Sequence, residues 1–267
     1  MVVALVLISA LLHAGWNALL RLEPDKDDGV VLAIAVAAAV ALIAGAGRSA
    51  LGGTTFPTVA ALGWTLAAGV IEAAYFAALA RALALGPLGV VYTISRGATV
   101  PIVWAVSALA LGEPVGALAV AGSAVVVLGL VLAGGGGGAS VAAVAWASGC
   151  AVAIAAYHLA YKAALAAGGN PTWVFAISLT LAAALGLLAR GRTDRRRLGA
   201  VLAARWRRLL PTGALCAVAF LVFVEGWLAA APASRPRCAT PRCCSRWAWR
   251  GPSAIGRGRA SSPGRRW

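Results

Sequence analysis

Eight residues pair a reactive side chain with a strongly apolar setting: His13, Asn17, Glu72, Tyr75, Tyr92, Arg96, His158 and Lys162. Arg96 lies between Tyr92 and Gly97 near the middle of an apolar run. A guanidinium in such a place costs roughly 2.5–3.5 kcal/mol on insertion scales, so it faces a partner or a wet cavity. It serves either as a substrate or counter-charge site or as half of a structural pair. Glu72 lies deep in the preceding run, with Tyr75 and Phe76 one turn along on the same helical face. It either pairs with Arg96 or binds a proton in coupled transport, unless it merely sits at a frayed interface. His13 and Asn17 are four apart and share a face, and His158 and Lys162 repeat that geometry. A histidine on an apolar helix serves as an interhelical hydrogen-bonder, a ligand or a proton site. Lys162 can simply extend its amine to the membrane interface. Arg81 and Glu225 fall near helix ends, where charge is commonplace, and Glu113 follows Gly112 in a turn. The sequence contains no H-E-x-x-H, no clustered metal ligands and no plausible Ser–His pairing. We therefore expect no catalytic set, no metal and no cofactor, and an integral-membrane enzyme is the weaker alternative.

The elements that must hold these residues are membrane helices. Of 267 residues, 61% are hydrophobic and 12% charged, against about 45–50% and 25% in soluble domains. Runs of about 20 apolar residues cross a ~30 Å hydrocarbon layer as helices, and barrel strands would be shorter and alternating. Eight spans are predicted at 2–20, 29–47, 58–84, 87–111, 115–133, 140–165, 172–190 and 209–231. Breaks fall at Glu23-Pro24-Asp25, Gly52-Gly53, Gly86-Pro87, Gly112-Glu113-Pro114, the run Gly134 to Gly138, Gly168-Gly169-Asn170-Pro171, and an arginine-rich loop. No positive segment precedes Val2, so the first run reads as a span and not as a cleaved signal. Trp64, Trp173 and Trp206 fit interfacial belts.

The net charge of +15 is concentrated in two places, eight arginines from Arg190 to Arg208 and nine from Arg235 onward. Basic loops beside spans are ordinary, so no nucleic acid is expected as a partner; the bilayer is. Cys150 and Cys216 read as small core residues, whereas Cys238, Cys243 and Cys244 resemble a metal cluster only at first sight.

A shift of 145 residues brings His13 onto His158, Trp16 onto Tyr161, Asn17 onto Lys162 and Pro87 onto Pro232. These are the chain's two histidines, each in the first helix of a five-helix unit. An odd number of crossings inserts the second copy upside down, the inverted-repeat plan of many secondary transporters. The fold expected is an all-α polytopic membrane protein with an inverted repeat of five-helix units. The first unit covers residues 1–134, and an incomplete second unit of three helices covers 140–234.

From Arg235 the texture changes to Arg, Pro, Cys, Trp, Gly and Ser. Codons read from the third base of each residue through two bases of the next turn Arg235 to Arg257 into a constrained pattern. That pattern allows R-N-T-S, an apolar stretch and G-D-R-P. It parallels Arg96-Gly97-Ala98-Thr99, an apolar stretch and Gly112-Glu113-Pro114. We expect a one-base frame disruption near Ser234 or Arg235, with 235–267 a disordered out-of-frame tail and its cysteines an artefact.

The run His13-Ala14-Gly15-Trp16-Asn17-Ala18-Leu19-Leu20-Arg21 resembles the first helix of EamA-type members of the drug/metabolite transporter superfamily. Tyr75 to Ala84, Gly86-Pro87, Tyr92, Ser95-Arg96-Gly97, Pro101 and Leu111-Gly112-Glu113-Pro114 resemble that family's third and fourth helices. The resemblance implies ten helices in two repeats, cytoplasmic termini, and movement of small metabolites or drugs across the plasma membrane by alternating access. The missing ninth and tenth helices leave a non-functional remnant as an alternative. Orientation stays open, because the arginine cluster taken as cytoplasmic puts the N-terminus outside, against the family pattern.

Overall fold

The computed structural model describes residues 2–52, 55–110, 116–134 and 139–230. The described chain folds as α1 (Val2–Arg21), α2 (Lys26–Ala50), α3 (Val59–Leu85), α4 (Leu88–Gly97), α5 (Thr99–Ala110), α6 (Ala117–Gly134), α7 (Val141–Ala166), α8 (Pro171–Leu188) and α9 (Arg192–Ala230), with no strand. The Gly112-Glu113-Pro114 motif, Pro232 and the three cysteines after Ser234 lie outside the described residues.

Helix starts follow local chemistry. Asp25, Thr58 and Ser140 each accept a hydrogen bond from the backbone three residues on, and Asn170 accepts from Thr172 and Trp173 ahead of Pro171. Each cap satisfies an N–H that the first helical turn leaves unpaired. After α2 and α7 the chain turns through Gly52 at φ 90° and Gly168 at φ 92°, left-handed conformations that glycine adopts without a Cβ penalty.

Seven helical stretches are long and apolar enough to cross a membrane: α1, α2, α3, α4 with α5, α7, α8 and most of α9. Large side chains such as Leu11 and Ile43, each 73% exposed, point outward from the bundle, an arrangement that lipid tolerates and water does not. The chain is a multi-pass membrane protein.

Three expectations need correction. Of the eight predicted spans, the one at 115–133 has among the described residues only a shorter apolar stretch, Val120–Leu130. The fourth span is not one uninterrupted helix; α4 and α5 meet at Ala98, which stays right-handed at φ −68°, ψ −20°. Pro101 has no N–H to offer the Gly97 carbonyl, so one rung of the ladder is missing there. The arginine-rich loop is also helix, because α9 runs for 39 residues with Pro211 inside it. At 1.5 Å per residue that is roughly 58 Å, about twice a hydrocarbon layer. Its first part forms an arm whose Leu198, Val201, Leu202 and Leu209 pack with Leu32, Val31 and Leu187. This apolar stripe, on one side of the arginines, holds the arm helical.

Loop contacts define two faces. On the arginine face, Ser140 reaches the Leu85 carbonyl, Arg190 pairs with Asp28, Arg197 lies 3.5 Å from Asp25 and Asp28, and Arg205 lies 3.4 Å from Glu23. On the opposite face, Thr58 bonds the Ala167 carbonyl, Asn170 bonds the Thr55 carbonyl, and Arg48 pairs with Glu225. Thus α1, α3 and α8 run toward the arginine face, while α2, α7 and α9 run away from it. Trp64 and Trp206 are about half exposed, as belts require, at 49% and 50%. Trp173 instead turns inward, packs on Gly45 and donates to Ser49.

In the core, α1 packs on α9, α7 on α3, α2 on α9, α8 on α3, and α2 on α8. Glycines permit the closest approaches. A Cβ on Gly69 of α3 would stand 2.7 Å from the Ser178 carbonyl and 3.0 Å from Leu181 Cβ. One on Gly213 of α9 would stand 2.5 Å from the Ala33 carbonyl and 2.6 Å from Val36 Cβ.

Candidate functional site

The four tyrosines of the chain are Tyr75, Tyr92, Tyr157 and Tyr161, and α3, α4 and α7 bring them to one level of the bundle. Tyr75 on α3 is 1% exposed. Its hydroxyl accepts a 3.0 Å hydrogen bond from Arg96 on α4, whose guanidinium carbon lies 5.7 Å from the Tyr75 ring centre. The Tyr75 ring faces Tyr157 at 5.9 Å, and Tyr157 faces Tyr161, one turn along α7, at 5.6 Å. The Arg96 guanidinium also lies beside the Tyr157 hydroxyl, without the geometry of a proper hydrogen bond. Tyr92, one turn before Arg96, is half-buried next to it.

Glu72 stands on α3 one turn toward the opposite face from Tyr75 and is 1% exposed. Its Oε1 accepts from the Tyr161 hydroxyl at 2.6 Å, and that hydroxyl shares a second 2.6 Å contact with Ser178 Oγ of α8. Ser178 also lies 3.0 Å from the Phe175 carbonyl. Glu72 Oε2 has no protein partner among the described residues. Of the alternatives open for Glu72, pairing with Arg96 is not seen; among the described residues neither is in an ion pair. The Tyr75 and Tyr161 hydroxyls take the two places instead, one accepting from the cation and the other donating to the carboxylate.

The histidines flank this layer. His13 Nδ1 lies 2.9 Å from the Ser9 carbonyl. A carbonyl only accepts, so Nδ1 carries the proton and Nε2 keeps its lone pair. Nε2 is buried with no partner among the described residues. His13 packs on Phe220 at 5.2 Å, and His158 stacks on Phe223 at 5.7 Å with its edge to Tyr157. Both histidines are near enough to Arg96 to feel its charge. Asn17 donates to the His13 carbonyl at 2.8 Å, so its amide is engaged within its own helix. Lys162 is half-buried one turn beyond His158.

The structure therefore gathers His13, Glu72, Tyr75, Tyr92, Arg96 and His158 around one aromatic layer. It adds Tyr157, Tyr161, Ser178 and Phe220, which the sequence reading did not select. Phe220 holds the layer together, stacking on Phe175 at 4.7 Å and meeting Tyr157 and Tyr161 at 6.2 and 6.4 Å. The available signal was the tyrosine count, since so few polar aromatics in so apolar a chain mark polar surroundings. Among the described residues no three His, Cys, Asp or Glu side chains gather as a metal would need. Cys150 and Cys216 are free and buried near the layer. This arrangement can hold an anionic group at Arg96 and a donor at His13 Nε2 inside an otherwise apolar bundle.

No known protein family, curated protein or solved structure matches this chain.

Proposed function

We propose that the chain is an alternating-access carrier of small metabolites or drugs in the cell membrane, built on the EamA plan of two inverted repeats. The observation that carries this reading is two ionisable groups with no ion pair among the described residues, the partly buried Arg96 and the buried Glu72, inside a multi-pass bundle. Charge at such depth is costly and marks solute or ion pathways.

The helix pairings support the repeat. Under the shift of 145, α1, α2 and α3 correspond to α7, α8 and α9 and run in opposite directions. The pairings then come in reciprocal sets: α1 on α9 mirrors α7 on α3, α2 on α9 mirrors α8 on α3, and α2 on α8 maps onto itself. Ala33 and Val36, which Gly213 abuts, map onto Ser178 and Leu181, which Gly69 abuts. Tyr75 maps onto Phe220, so each repeat gives one aromatic to the central layer. Rocking of one repeat on the other would expose that layer to either side in turn.

The test is counterflow of labelled amino acids and other small metabolites in proteoliposomes carrying the purified chain. Saturable exchange that is lost in Arg96→Ala supports the carrier; no exchange with any solute removes it. A second reading, a remnant that transports nothing, is favoured by the change of composition at Arg235. Resequencing the gene across Ser234 separates them. A reading frame that restores the R-N-T-S and G-D-R-P pattern supports a ten-helix carrier, and a confirmed lesion supports the remnant.

A further inference from the structure

We propose that Glu72 is a proton-binding site, loaded from the arginine face through a cavity between α2, α3 and α8; the coupling role of this site rests on the carrier reading above.

The hydrogen-bond inventory supports a neutral acid. Tyr161 and Ser178 each own one hydroxyl hydrogen. If Glu72 carries a proton on Oε1, it donates to Tyr161, Tyr161 donates to Ser178, and Ser178 donates to the Phe175 carbonyl, over contacts of 2.6, 2.6 and 3.0 Å. Every hydroxyl then gives and receives once, and the chain ends on a backbone acceptor. If Glu72 is ionised, Tyr161 donates to it with Ser178 close by, Ser178 then receives from neither, and Oε2 stays bare with no ion-pair partner among the described residues. An isolated carboxylate away from water is far costlier than a neutral acid. The groups around Glu72 bear this out: Tyr75 on α3, Tyr157 and Tyr161 on α7, Ser178 on α8 and Cys216 on α9 are all neutral. Arg96, on α4, donates to Tyr75. On α2 the charges Asp27 and Asp28 lie at the arginine-face end.

A cavity gives access from the arginine face. A cavity of about 150 Å³ lies between α2, α3 and α8, with Asp27 and Arg190 at its rim and Phe76, Ala77, Ala182 and Gly186 in its wall. That volume holds several waters, and the charged rim supplies their partners. Phe76 lies one turn from Glu72, and Ala182 lies one turn from Ser178, so the cavity ends one helical turn from the carboxyl. Phe76 and Ala73 form the part of the cavity wall nearest Glu72 in the chain. Toward the opposite face, the Gly69 contact with the Ser178 carbonyl and Leu181 closes the α3–α8 seam. In this conformation the proton therefore exchanges with the arginine face, passing between cavity water and Glu72 without any other bond being made or broken.

Infrared difference spectroscopy of the full chain in liposomes tests this directly. We expect a carboxylic-acid carbonyl band that vanishes as pH rises. It should be lost in Glu72→Gln, retained in Glu23→Gln, which removes the other glutamate buried among the described residues, and shifted in frequency in Tyr161→Phe. The last variant gives a readout even if Glu72→Gln does not fold. In D2O the band should exchange more slowly in Ala183→Phe, which fills the cavity, and faster in Phe76→Ala. Absence of the band at every pH overturns the proposal, as does its removal by sodium at constant pH. Exchange rates that ignore both cavity variants overturn the route. A band without any solute counterflow keeps the proton site and removes the carrier; counterflow without a band does the reverse.

Discussion

At the scale of single residues, Tyr161 is the most consequential side chain that the sequence reading passed over. In the sequence it stands out only as the counterpart of Trp16 under the shift of 145 residues. Its hydroxyl lies 2.6 Å from a buried carboxyl oxygen, and leaving such a group unpaired costs about 1–3 kcal/mol. Tyr161→Phe should therefore lower the melting temperature in detergent, whereas Tyr92→Phe, at a half-buried hydroxyl, should leave it nearly unchanged. Combining Tyr161→Phe with Glu72→Gln should cost less than the two single changes added, because they share one interaction. Additive losses would dissociate the pair. The alternative of a Glu72–Arg96 bridge failed for a related reason. Opposite charges invite pairing on paper, but a tyrosine hydroxyl can satisfy either one, and spacing along two helices does not reveal which ring stands between them.

At the scale of elements, the spans at 2–20, 29–47, 58–84, 140–165 and 172–190 recur with ends moved by a few residues, because apolar length and the caps Asp25, Thr58, Ser140 and Asn170 are both local signals. The arm of α9 was not legible in this way. Its eight arginines read as a loop, yet Leu198, Val201, Leu202 and Leu209 recur on one helical side and dock on Leu32. Glu23, Asp25 and Asp28 then hold the outer side through Arg205, Arg197 and Arg190. Asp28 serves two of these arginines, so Asp28→Asn should loosen the arm and speed trypsin cleavage at Arg195 to Arg197 severalfold. Raising the salt concentration should do the same to the unaltered chain, since screening shortens the reach of exposed charges to a few ångströms. An unchanged cleavage rate in both would mean that the apolar stripe alone anchors the arm.

At the scale of the whole molecule, charge sets the orientation. Among the described residues, the arginine face carries Arg21, Lys26, Arg81 and the eight arginines from Arg190 to Arg208. Against these the other half of the bundle has Arg48 and Lys162. Basic residues flanking spans stay in the cytoplasm, so the arginine face is expected there and α1 is expected to begin outside. In a cysteine-free background, Leu51→Cys, on a side chain 90% exposed, should react with an impermeant maleimide added to intact cells. Gly199→Cys on the arm should react only after permeabilisation. The reverse pattern would favour the orientation that the family resemblance implies.

The two glycine seams carry a mechanical consequence. If the halves rock like a see-saw, Gly69 against Ser178 and Gly213 against Ala33 are its twin bearings, and added bulk in one should tip the beam away from that side. Gly69→Ala and Gly213→Ala should then shift solvent accessibility of the aromatic layer in opposite directions. Paired together, they should leave the balance level and both ends stiff.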